Sequence, residues 1–135
     1  MKKIHTETIT KNNFETLNYV RTHTVLMDNT PEDGGIDFGA TPKEHLCMAL
    51  GSCTTMTLKT YLLRKSWECQ LLKVNIDFDI KDGHSYFNVH ITIQGDFDEK
   101  QKKRIKQIAK LCPVHKMLSS GNSIKESFEF LELIH

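Results

Sequence analysis

Cys53 and Cys112 have the surroundings best suited to chemistry. Cys112 sits in Leu111-Cys112-Pro113-Val114-His115-Lys116. Proline disfavours helical geometry in the residue before it and suits the first turn of a helix. One reading makes Cys112 the N-cap of a short helix ending near Leu118. Its sulfur would then face free amide N–H groups and the positive helix end. Both lower a thiol pKa, and the thiolate is the nucleophile. His115 and Lys116 could add positive charge. The competing reading is a proline kink in one longer helix, with Cys112 as packing. Cys53 lies in Gly51-Ser52-Cys53-Thr54-Thr55. Gly51 and Ser52 allow close approach, and Ser52, Thr54 and Thr55 offer hydrogen bonds to a thiolate or to a peroxide oxygen it attacks. Cys53 also falls on an apolar helical stripe, so a small buried hydrophobe is the plain alternative.

The remaining cysteines, Cys47 and Cys69, are expected to be structural. Cys47 is six residues before Cys53 and lies off its helical face, as core. Cys69 follows Trp67 at a helix–strand junction. In a secreted protein four cysteines would suggest two bridges, with three possible connectivities. Met1-Lys2-Lys3 could open a signal peptide, but Ile4-His5-Thr6-Glu7-Thr8 is no apolar core for one. The expected compartment is therefore the reducing cytoplasm, where thiols serve as packing, metal ligands or redox groups. Zinc would need a second ligand pair beside Cys112-x-x-His115. His45, Cys47, Cys53 and Cys69 are too scattered to supply it, so no metal and no cofactor are expected. His5, His23, His84 and His90 show no ligand spacing either.

These side chains need a scaffold. A chain of 135 residues fits one domain, 1–135, with a real core. Residues 4–10 and 16–27, joined through Lys11-Asn12-Asn13, read as a hairpin. Residues 28–42 form a long loop with Pro31, Gly34, Gly35, Gly39 and Pro42. Thr41 as N-cap, Pro42 at N1 and Glu44 at N3 then open a helix that can run to about Lys65. Leu46, Ala49, Leu50, Cys53, Thr57 and Tyr61 recur along it at helical spacing. Its first half is apolar around much of its circumference and is expected to be deeply buried. Leu72, Val74, Ile76, Phe78 and Ile80 alternate with polar residues. So do Phe87, Val89, Ile91 and Ile93, across an Asp82-Gly83 turn, giving a second hairpin. Asp98 and Gln101 form a capping box for another helix, and residues 127–134 read as a final strand. The order predicts an α+β domain of antiparallel hairpins.

Charge excludes some partners. The net charge of +1 creates no field toward nucleic acid or anionic lipid. The lysines of residues 100–110 lie opposite Ile105 and Ile108, without interleaved aromatics, and read as a solvated helix face. No apolar run approaches a membrane span. Glu44 caps its helix and is also a candidate to orient a cation beside Cys53. Arg21, placed in an N-terminal strand, is the candidate cation.

Two segments together resemble the OsmC/Ohr family of thiol peroxidases, in its OsmC-like branch. The first runs from Gly39-Ala40-Thr41-Pro42 through Gly51-Ser52-Cys53-Thr54-Thr55 to Tyr61, Arg64-Lys65 and Trp67. The second runs from Gln101 through Ile108-Ala109 to Cys112-Pro113-Val114-His115. The resemblance covers roughly residues 20–120. It implies a long central helix between antiparallel sheets and an intertwined homodimer with active sites at the subunit interface. It also implies Cys53 as the peroxidatic and Cys112 as the resolving cysteine, and an external thiol or dithiol reductant. The chain departs from the pattern at one point. The family's catalytic glutamate follows the proline directly, whereas here that position is Lys43 and the acid is Glu44, about 100° further round the helix. A redox-sensing or small-molecule-binding protein on the same scaffold is the alternative reading.

Overall fold

A computed structural model describes residues 3–10 and 12–134. It is an α+β structure with two antiparallel sheets. Strands β1 (Glu7–Thr10), β2 (Thr16–Val20) and β3 (His23–Met27) form a meander. Strands β4 (Leu71–Lys81) and β5 (His84–Gln94) form a long hairpin. Among the described residues there are also three α-helices, α1 (Pro42–Lys65), α2 (Glu99–Ala109) and α3 (Pro113–Ser119), and a 3-10 turn at Pro31–Asp33.

The N-terminal region differs from the single expected hairpin. The run 16–27 is broken between Val20 and His23, which pair across a two-residue turn. Arg21 occupies that turn at φ 51°, the left-handed conformation that tight hairpin turns require. Arg21 is thus a turn residue and not a strand residue. Lys11, in the expected connection between β1 and β2, lies outside the described residues.

Asp28 organises the loop that follows β3. Its side chain is buried. It accepts hydrogen bonds from the N–H groups of Asn29 at 2.7 Å, Ile36 at 3.1 Å and Phe38 at 3.1 Å. The loop is drawn so tight that a Cβ on Gly35 would collide with the Asn29 carbonyl. The loop delivers Thr41, whose hydroxyl accepts from Glu44 N–H at 3.2 Å while the Glu44 carboxylate accepts from Thr41 N–H at 2.8 Å. This is the expected capping box, with Pro42 at the first helical position.

One stripe of α1 is buried: Leu50, Thr54, Leu58, Tyr61 and Leu62. It meets the inward face of β4, where Leu72, Val74, Ile76 and Phe78 are half-buried and the intervening Lys73, Asn75, Asp77 and Asp79 are exposed. Asp82 and Gly83 turn the hairpin at φ 52° and 75°, as that dipeptide predicts. The core lies between the second half of α1 and α2. Leu58, Tyr61 and Leu62 pack there with Ile105 and Ile108, edged by Trp67, Leu72, Ile93 and Phe97. The Asp98–Gln101 capping box starts α2 with bonds of 2.7 and 2.9 Å. The lysines of α2 face solvent.

Two expectations about burial are corrected. The first half of α1 is not deeply buried, since Leu46 and Met48 remain 42% and 48% exposed, and Met56 beyond it is 67% exposed. One sheet and two short helices cover only one stripe, and among the described residues nothing covers the other. Residues 127–134 form no strand. Phe128, Phe130, Leu131 and Leu133 are exposed. A strand needs an edge to bond to, and this segment pairs with none among the described residues. Among the described residues no helix is long and apolar enough to cross a membrane.

The Asp28 carboxyl gives a pH test. Burial opposes its charge, but the Phe38, Ile36 and Asn29 N–H groups outweigh burial and hold its pKa below the ordinary value. A depressed folded pKa stabilises the fold above the unfolded value, about 3.9, and that contribution is lost as pH falls through the folded one. Asp28→Asn should melt at lower temperature than wild type at neutral pH, and the gap should narrow as the pH falls below about 4. Thermal melts on both sides of that pH check it. A constant gap would mean that the carboxylate charge does not hold the loop.

Candidate active site

Pro113 lacks an N–H and disfavours helix at the residue before it. The chain therefore leaves α2 through Lys110 and Leu111 and restarts at Pro113, with Cys112 as the N-cap of α3 at φ −57°, ψ 123°. There is no single kinked helix. The Cys112 side chain is fully buried. Across the α1–α3 junction it meets Cys53, which is half-buried on α1. The two thiols lie close enough that each shifts the other's pKa, and neither is in a disulfide.

The surroundings of the two sulfurs are unequal. Burial raises the pKa of Cys53. Its interaction with Cys112 raises it further, against weaker help from the Val114 N–H and the Thr57 hydroxyl. Burial also opposes the charge on Cys112, but there it is outweighed. The Cys53 thiol, the His115 N–H, the Thr54 hydroxyl and the Val114 N–H together lower the Cys112 pKa. The sulfur makes no cap hydrogen bond, yet these groups place partial positive charge near it. It is the His115 amide that faces Cys112. The His115 ring is exposed and lies 3.3 Å from Ser119 Oγ. Lys116 is exposed as well.

The hydroxyls near Cys53 divide by helical face. Thr54 is buried and serves Cys112. Thr57, one turn beyond Cys53, serves Cys53. The Thr55 hydroxyl donates to the Gly51 carbonyl at 2.8 Å, and Ser52 is exposed on another side. The role of Thr57 was missed, although its spacing of four from Cys53 was the available signal.

Cys47 is corrected from core to groove. It is half-exposed and lines an open groove of about 480 Å³ with Met48, Ser52, Met56 and Ile76. Burial and the Glu44 charge raise its pKa. Cys69 packs at the edge of the core, as expected.

The structure does not bring Glu44 or Arg21 to the cysteines within one chain. Glu44 lies nine residues before Cys53, about 13 Å along the helix axis. Its carboxylate is engaged by Thr41, and the Thr41 N–H and hydroxyl, with the His45 charge, lower its pKa. Arg21 is exposed. Among the described residues, no hydrogen bond or ion pair joins it to Glu44. Nor do three or more His, Cys, Asp or Glu side chains gather there as a metal site would require. Two cavities are lined by chain neighbours of the cysteines, though by neither cysteine itself. One of about 340 Å³ is lined by Thr57, Tyr61, Arg64, Ile108, Leu111 and Pro113. The other, of about 450 Å³, is lined by Leu50, His84, Phe87, Val89, His115 and Leu118.

Residues 32–127 match the OsmC-like protein family. No curated protein sequence matches the chain closely. Solved structures match its fold. An OsmC-like protein from Mycoplasma pneumoniae aligns at 21% identity and TM-score 0.73, over 87% of this chain and 88% of that one. An OsmC-like protein of unknown function from Vibrio cholerae aligns at 11% and 0.69, over 87% and 94%. An organic hydroperoxide resistance protein from Elizabethkingia anophelis aligns at 16% and 0.66, over 87% and 88%.

The contact between the two thiols predicts one disulfide. Mild oxidation of the reduced protein with diamide, followed by peptide mass mapping, should yield Cys53 bridged to Cys112, with Cys47 and Cys69 still alkylatable. A dominant bridge to Cys47 or Cys69 would show that the α1–α3 junction is not where the reactive thiols meet.

Proposed function

The chain belongs to the OsmC-like protein family, and on that footing we propose that it reduces organic hydroperoxides, with Cys53 attacking the peroxide and Cys112 resolving the product. The observation that carries this reading is the meeting of two reduced thiols across the α1–α3 junction. The Cys53 sulfur attacks the O–O bond. The alkoxide leaves as an alcohol, and Cys53 becomes a sulfenic acid. Cys112 attacks that sulfur, water leaves, and a Cys53–Cys112 disulfide forms. An external thiol or dithiol then returns both cysteines to the reduced state. The mostly apolar groove past Thr57, Ile108, Leu111 and Pro113 suits an organic peroxide better than a small hydrophilic one. The name of the Elizabethkingia structure, an organic hydroperoxide resistance protein, lends the same support. The cytoplasm, which keeps thiols reduced, is the compartment this chemistry fits.

The working unit in this proposal is a homodimer with its sites at the subunit interface. The open side of α1 at Leu46, Met48 and Met56, and the unpaired apolar segment with Phe128, Phe130 and Leu131, are the surfaces a second chain would cover. A second chain is also what Glu44 and Arg21 would need in order to act together. Light scattering should give twice the chain mass at micromolar concentration. A monomer there would remove the interface site from the proposal.

A second reading has one observation in its favour. Glu44 is held by its cap and Cys53 by a raised pKa, which fits a slowly oxidised sensor or binding protein. Peroxide consumption with cumene hydroperoxide and dithiothreitol separates the two. Wild type should turn over steadily, and Cys53→Ser should fall to the protein-free rate. If wild type is no faster than Cys53→Ser, the peroxidase reading fails, and a disulfide that still forms leaves the sensor.

A further inference from the structure

We propose that the cleft between α1 and α2, which neither reactive cysteine lines, binds a small phosphorylated compound with a planar ring, a nucleoside monophosphate being the simplest of that class. Nothing in this inference depends on the peroxidase reading. The cleft holds about 420 Å³. Tyr61, Lys65 and Trp67 form one wall, and Lys100, Lys103, Arg104 and Gln107 form the other. That volume lies in the range of small-molecule sites, on the order of 300–1,000 Å³. Helical spacing puts these residues there. Tyr61 and Lys65 are four apart on α1, and the α2 residues recur at three and four along one face. Lys102 and Lys106 fall on a different face of α2 and are no part of the wall.

The cations of the cleft lack counter-charges. Among the described residues the one ion pair joins Lys102 to Glu99. Asp98, the one carboxylate in the wall, accepts from the Gln101 N–H at 2.7 Å as a helix cap. Lys65 Nζ and Arg104 Cζ lie 5.8 and 5.6 Å from the centre of the same Tyr61 ring. Four positive charges thus share the cleft with one negative charge, and a dianion relieves their repulsion. A phosphate monoester carries about −1.5 to −2 at pH 7, more than a carboxylate supplies. Arg104 is also held in place. Its Nε donates to the Tyr61 hydroxyl at 3.2 Å and its Nη1 to Gln107 Oε1 at 3.1 Å. Its Nη2 bonds no protein group among the described residues, and a guanidinium fixed in this way is ready to pair with a phosphate.

The aromatic wall selects for a ring. Tyr61 is buried and Trp67 half-buried, and their rings meet edge to face at 5.6 Å and 83°. Tyr61 packs with Leu58, Leu62, Ile105 and Ile108 in the core, and the Trp67 N–H donates to the Leu62 carbonyl at 2.9 Å. Both rings are therefore fixed before any ligand arrives. Fixed rings beside fixed cations offer stacking and charge together, the two contributions that hold a nucleotide without reading its base. The basic run of α2 carries no aromatic of its own. The fold supplies two, from the end of α1 and the turn after it.

Trp67 is the one tryptophan of the chain, so its fluorescence reads the cleft directly. The reduced full-length protein is titrated with AMP, GMP, CMP and UMP, and with inorganic phosphate and adenosine for comparison. At least one monophosphate should change Trp67 fluorescence saturably and bind about tenfold or more tightly than phosphate or adenosine, the effect of adding one stacked base to one charge contact. Arg104→Gln should weaken that binding by about tenfold or more, as the loss of hydrogen bonds to a charged group does. Lys103→Gln, at an exposed side chain, should weaken it by a smaller factor. Lys102→Gln, off the cleft, and Cys53→Ser should bind as wild type does. Circular dichroism verifies that each variant is folded. Binding no tighter than that of phosphate means an adventitious ion only and overturns the inference. So does the absence of a saturable change with every monophosphate, or binding that either folded cleft variant leaves unchanged. Tighter binding of a single-stranded oligonucleotide than of any monophosphate overturns it in favour of a nucleic-acid strand.

Discussion

The place where Pro113 stops one helix and starts the next decides what the site can be. Without an N–H, and with a ring that crowds the residue before it, Pro113 forces Cys112 out of helical geometry. Cys112 thereby becomes the N-cap of α3, with its side chain buried. In that position it meets Cys53, and the Thr54 hydroxyl and two backbone N–H groups lower its pKa. The other half of the contact depends on the length of α1, which spans Pro42–Lys65. The Thr41–Glu44 box fixes its start and Ser66, at φ 57°, its end. The Leu50, Thr54, Leu58 and Leu62 stripe then fixes its rotation against β4, so that Cys53 emerges beside α3.

The chain leaves more apolar surface open than a monomer of this size usually does. The exposed side of α1 and the residues after α3 both present large apolar side chains, Leu46, Met48 and Met56 on the one and Phe128, Phe130 and Leu131 on the other. Glu44 lies on the same half of α1 as Leu46 and Met48. The same absence of cover explains why the Glu44 and Arg21 side chains stand apart from the cysteines in one chain. The site's chemistry, as far as one chain provides it, is confined to sulfur, hydroxyl and amide groups.

Local signals were legible wherever the side chain itself sets the backbone. The two capping boxes, the Asp82-Gly83 turn, the alternation of β4 and β5 and the N-cap at Cys112 all follow from residues within four positions of one another. The break between β2 and β3 was not legible, because Arg21-Thr22 carries none of the Gly, Asn or Asp residues that announce a left-handed turn. Residues 127–134 alternate like a strand, but pairing is a property of two segments, and one segment's pattern does not state where its edge is. The burial of the first half of α1 failed for a related reason, since an apolar circumference shows what could be covered and not what covers it. At the site, both cysteines were legible. Which hydroxyl serves which sulfur depends on the rotation of α1, and only the structure assigns Thr54 to Cys112 and Thr57 to Cys53.

The central claim is that Cys53 and Cys112 act on peroxide as one two-electron unit. A single-turnover titration tests it most directly: reduced protein is mixed with successive substoichiometric amounts of cumene hydroperoxide, and the remaining thiols are counted after each. The account predicts two thiols lost per peroxide added, both from the Cys53–Cys112 pair, until one peroxide per chain has been consumed. Loss of one thiol per peroxide, with oxygen retained on Cys53, or no loss at all, would contradict it.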